Sequence, residues 1–149
     1  MLDICKKKWA ENENILKESI NKNLDVIMGD REDWDCTNYD YEELLEKTLF
    51  IIFDGYFELD SIHQVGYDND YKGTLVFTFC AKNNCDTPTG FFATFVYYGS
   101  CSCCDTLQCI KEKYIEEYQS KNHEGIVKDL LGLCRDMVTR IVQIFACEV

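Results

Sequence analysis

Along the first 28 residues apolar side chains return every three or four positions. Trp9, Leu16, Ile20, Leu24 and Ile27 share one helical face, while Lys, Asn and Glu fill the other. The pattern predicts an amphipathic helix over roughly Ile4 to Met28, stopped by Gly29. A second helix is expected to begin at Asp40, whose side chain can cap it while Glu43 reaches back three residues. Tyr41, Leu44, Leu45, Thr48 and Ile52 form its buried stripe, and Gly55 ends it. The period then changes. "FELDSIHQVGY" alternates loosely, and "TLVFTFCAK" and "GFFATFVYYG" are rich in β-branched and aromatic residues, with turn chemistry in "YDNDYKG" and "NNCDTPTG" between them. Helical spacing resumes from Asp105 to about Ser120 through Leu107, Ile110, Tyr114 and Tyr118. A last helix, from about His123 to Cys147, carries a wide apolar stripe from Val127 through Leu130, Cys134, Met137, Ile141 and Ile144 to Phe145. This order predicts an α+β domain: a three-stranded antiparallel meander with two N-terminal and two C-terminal helices packed largely on one face.

A length of 149 residues suits one domain, 1–149, with a core large enough to fold without metals or cross-links. The only proline is Pro88, and no Gly/Ser-rich tract or repeat marks a linker. The start of the chain has no apolar run of signal-peptide length and no later run approaches a membrane span, so a cytoplasmic protein without membrane contact is expected. In that compartment the ten cysteines are expected to be thiols.

Charge narrows the partners. Asp and Glu number 27 against 15 Lys and Arg, a formal net of −12. Phosphate backbones are repelled by such a surface, which argues against direct nucleic-acid binding. The excess is concentrated between Asp30 and Glu46, where Asp30, Glu32, Asp33, Asp35, Asp40, Glu42, Glu43 and Glu46 face the single cation Arg31. Interleaved aromatics make Glu32, Asp33, Trp34, Asp35, Tyr39 and Tyr41 the candidate partner-binding residues for a basic protein surface. The plainer alternative is a solvated loop and helix face.

Local motifs carry little catalytic chemistry. Asp68, Asp70 and Gly73 start like a calcium loop, but Lys72 and Phe79 stand where ligands are needed, so a hairpin turn is expected. His63 falls in a strand and His123 at a helix start, neither with the local signature of a nucleophile's base. The informative stretch is "YYGSCSCCDTLQCI". Asp105 with Gln108 reads as a helix cap, which puts Cys101 to Cys104 in the connection at a helix N-terminus, where thiolates, metals or anions are favoured. Three readings follow: a dithiol at Cys101 and Cys104; zinc held by Cys101 and Cys104 with Cys80 and Cys85; or an anion-binding turn at Gly99, Ser100, Ser102 and Asp105 that holds a nucleotide phosphate. Beside them stands simple packing, with Cys5, Cys134 and Cys147 as core or boundary residues. Apart from such a zinc ion, no cofactor is expected.

"DNDYKGTLVF" followed by "YYGSCSCCDTLQ" resembles a segment of small, largely uncharacterised proteins of bacterial viruses and mobile elements. In these an aspartate-tyrosine-x-glycine strand precedes a G-S-C-S-G-C-D-x-L-Q turn. The matching residues are Asp70, Tyr71, Gly73, Gly99, Ser100, Cys101, Ser102, Cys104, Asp105, Leu107 and Gln108, in a similarity that spans about a quarter of the chain, and Cys103 stands where those proteins often carry glycine. The resemblance implies a phage-type protein acting in the cytoplasm of an infected bacterial host, and it brings no activity with it. The expected function is inhibition of a host defence factor by occupying its basic, nucleic-acid-binding surface. The alternatives are a zinc or dithiol module on the Cys101/Cys104 turn and a nucleotide-signal sponge.

Overall fold

The computed structural model describes residues 1–29, 40–65, 72–86, 88–99, 105–118 and 122–144. Its elements run α1 (Leu2–Lys22), α2 (Leu24–Met28), α3 (Tyr41–Ile52), β1 (Phe57–Val65), β2 (Lys72–Ala81), β3 (Phe91–Gly99), α4 (Thr106–Glu116), α5 (Glu124–Thr139) and β4 (Val142–Ile144). The strands form one antiparallel sheet in the order β1-β2-β3-β4. This is the expected α+β fold, with one strand more than the periodicity predicts.

The extra strand comes from the expected last helix. α5 ends at Thr139, and Val142–Ile144 pairs with Phe91–Ala93. The run Val138, Thr139, Ile141, Val142 and Ile144 is β-branched at nearly every position, which weakens a helix and suits a strand. At the break the Thr139 hydroxyl donates to Asp136 O, and Ile141 N–H to Val138 O, tightening the last turn. The expected first helix is likewise two. Asn23 donates from Nδ2 to Ser19 O at 2.8 Å, its own N–H is shared between Ser19 O and Ile20 O, and the chain re-enters helix at Leu24. An asparagine that competes for backbone groups in this way interrupts a helix without ending it.

α3 and α5 pack on one face of the sheet, and α1 lies across both. Cys5, Trp9, Asn12, Leu16 and Ile20 form the buried stripe of α1, and α5 contributes Ile126, Val127, Leu130, Leu133, Cys134, Met137 and Val138. The sheet answers with Phe57, Phe77, Phe79, Phe92 and Val96. Phe57 is the hub: its ring meets Phe79 at 4.8 Å, Phe53 at 5.0 Å and Phe92 at 5.1 Å, each edge to face. Two buried polar side chains satisfy carbonyls at helix ends. Asn12 Nδ2 donates to Ile52 O (2.8 Å) and Thr94 Oγ1 to Met137 O (2.6 Å), groups that would otherwise be orphaned away from water.

The turn from α3 into β1 places Asp54 and Gly55 at positive φ, the left-handed conformation that stops the helix. Between β2 and β3, Gly90 lies against Asn84. A Cβ there would stand 1.8 Å from Asn84 O, so only glycine closes this connection. No helix among the described residues is long and apolar enough to cross a membrane.

Candidate functional site

Of the candidate partner-binding residues, Glu32, Asp33, Trp34, Asp35 and Tyr39 lie outside the described residues. Tyr41 is described, and it is buried, as the stripe of α3 requires and an exposed contact residue does not allow. Its hydroxyl donates to Asp105 Oδ1 (2.7 Å) and accepts from Leu107 N–H (3.1 Å). Burial, followed by the hydrogen bond to Asp105, raises its pKa, so the phenol stays neutral. Tyr41 therefore clasps the start of α3 to the start of α4 and is not available to a partner.

The described part of the acidic run is nevertheless organised. Asp40 caps α3 and forms the expected capping box with Glu43, 2.9 Å in each direction. Glu42, Glu43 and Glu46 follow on the first turns, and Asp60 of β1 lies near enough to act on Glu46. The Glu46 carboxyl is raised above the ordinary range, first by burial and then by the charges of Glu42, Glu43, Asp40 and Asp60. Glu43, Glu46, Lys47, Phe50 and Leu59 line one hollow of about 360 Å³. Phe50 is 57% exposed there. The carboxylates of Glu43 and Glu46 and the cation of Lys47 thus surround an apolar floor of Phe50 and Leu59. Phe50 and Leu59 escape a motif reading. The trace they leave is a phenylalanine on the polar stripe of α3, three residues after Lys47 and four after Glu46.

The cysteine turn is described only at its two ends, since Ser100, Cys101, Ser102 and Cys104 lie outside the described residues. At those ends Asp105 Oδ1 accepts from Gln108 N–H (3.0 Å), as the cap predicts, and Oδ2 accepts from Gly99 N–H (3.2 Å). With Leu107 N–H taken by Tyr41, three backbone donors that an anion would use here already have partners, and a carboxylate holds two of them. The described half of the anion-binding expectation is thus occupied by the protein's own side chains.

The zinc set separates as well. Cys80 and Cys85 are joined as a disulfide, with Cα atoms 5.2 Å apart, contrary to the expectation of thiols. The close of β2 and the turn after it bring the two sulfurs together, so neither thiolate remains to ligate a metal. Cys80 faces Phe91, whereas β3 hands the chain to the cysteine turn at Gly99, the far end of that nine-residue strand. The distance along the strand is about 27 Å. Among the described residues no group of three or more His, Cys, Asp or Glu side chains could hold a metal. Cys5 and Cys134 are core residues, and burial pushes the Cys134 thiol up to about 12. His63 is exposed on β1, and His123 precedes α5 with its ring 5.1 Å from Tyr114.

The sheet face away from the helices carries a second surface that the motifs did not mark. Across the register, Val65, Val76 and Phe95 form one row; Ala93 and Val142 lie in the next with His63 and Thr78; Phe91 and Ile144 form another, and Tyr97 pairs with Thr74. Val65, Phe91, Tyr97, Val142 and Ile144 are all exposed. The Arg140 guanidinium lies 4.9 Å from the centre of the Phe95 ring and 5.3 Å from that of Tyr97, and it donates to Phe95 O. The signal was in "GFFATFVYYG", which is apolar at almost every position where a one-sided strand would alternate.

No family model, curated protein or solved structure matches the chain.

Proposed function

We propose that this is a small acidic phage-type binding protein that inhibits a host defence factor by occupying its basic, nucleic-acid-binding surface. The observation that carries the reading is the hollow on α3 and β1, where Glu43 and Glu46 rim an exposed Phe50 and the neighbouring carboxylates reinforce one another's field. Such a site takes an arginine or lysine from a partner, and a chain of net charge −12 speeds the approach of a cationic surface. The exposed apolar face of the sheet supplies contact area of the kind a protein partner covers.

The test is a pull-down from host lysate, identification of the captured protein, and competition between this chain and duplex DNA for it. The variant Glu42→Lys/Glu43→Lys/Glu46→Lys should weaken capture by at least about 100-fold at low salt and flatten its salt dependence. Full inhibition by that variant would remove the proposal.

A further inference from the structure

We infer that the cleft between α4 and α5 binds a small organic phosphate carrying two anionic groups. The site is independent of the partner-binding reading. The cleft is a hollow of about 520 Å³, open to solvent along its length. Two of its three carboxylates, Asp105 and Asp129, are engaged within the protein, and Asp136 is 60% exposed. Asp105 caps α4 and accepts from Tyr41, Asp129 is bridged to Lys113 at 3.1 Å, and Asp136 lies 4.0 Å from Arg140. Its other cations are not. Lys128 and Arg135 have no carboxylate partner within 4 Å among the described residues, and Arg135 instead lies 6.0 Å from the centre of the Trp9 ring. Two unpaired cations facing one cleft offer an anion local contacts, against the repulsion of a chain of net charge −12.

Gly132 supplies the shape. It sits inside the sixteen-residue α5, where helix propensity disfavours glycine, and nothing lies within 4 Å of the place its Cβ would take. Packing therefore does not demand glycine there. What its missing side chain leaves is bare backbone on the wall of the cleft, against which a flat ligand can lie closely. Lys128, Gly132 and Arg135 follow at i, i+4 and i+7, one stripe of the helix with the two cations about 10 Å apart along the axis. Both side chains are long and flexible, so their charged heads reach either the adjoining phosphates of a linear nucleoside diphosphate or the separate phosphates of a cyclic dinucleotide.

Calorimetry on the full chain with ADP, with cyclic di-AMP and with inorganic phosphate tests this and separates the two sources. One-to-one binding of either nucleotide, at least about tenfold tighter than inorganic phosphate, is expected. Lys128→Gln and Arg135→Gln should each weaken it about tenfold or more. Gly132→Ala should weaken binding while raising Tm by about 3 °C, a pairing that a purely structural glycine would not produce. No binding of either nucleotide up to about 1 mM, inorganic phosphate binding as tightly as the nucleotides, or unchanged affinity in Gly132→Ala would each overturn the inference.

Discussion

The two faces of β3 are built from the same kinds of residue and have opposite fates. Phe92, Thr94 and Val96 are closed off under α3 and α5, whereas Phe91 and Tyr97, one residue away, meet water. Folding accounts for the first set. The second set adds little to the core and leaves an apolar sheet surface exposed, which is the contact area that the proposed binding would use.

The largest test of that contrast is a pair of truncations. Phe57→Ala empties the hub of the ring cluster and should cost about 3–5 kcal/mol in urea denaturation. Phe91→Ser on the open face should cost under about 1 kcal/mol. Equal costs would mean that both faces are packed. A finer comparison uses two tyrosines. Tyr41→Phe removes the hydroxyl that serves Asp105 and Leu107 N–H, a loss of about 1–3 kcal/mol, whereas Tyr97→Phe should stay within about 0.5 kcal/mol.

The smallest effect concerns the acidic rim. The raised Glu46 carboxyl means that the folded protein holds this proton more tightly than the unfolded chain does. Stability from this group is fully present below the ordinary glutamate range and is lost as pH rises through the raised value. Glu46→Gln should therefore stabilise the protein at pH 7, by less than about 1 kcal/mol, with no gain below about pH 4. Denaturation curves at the two pH values check both halves.

What was legible in the sequence was what is local. The Asp40–Glu43 box and the Asp105 cap are encoded within four residues, and the three long strands within their own composition. What escaped depends on distant partners. Ile141 to Ile144 continue a helical apolar spacing, and their β-branched side chains become a strand by pairing with the edge of β3. The acidic hollow needs Leu59 of β1 brought beside Phe50 of α3, and the Cys80–Cys85 bond needs the chain reversal after β2, which an argument from cellular compartment does not see. Tyr41 fitted two expectations at once, and burial decided between them.

β4 covers β3 only as far as Ala93, yet the strand beyond it does not present a bare margin. Phe95 O is held by Arg140, Tyr97 O faces the Tyr41 hydroxyl at 3.4 Å, and Gly99 N–H is held by Asp105. A foreign strand seeking to extend the sheet there, as in fibre growth, would first have to strip away these three side chains. Extension of the sheet along this margin of β3 is thereby discouraged.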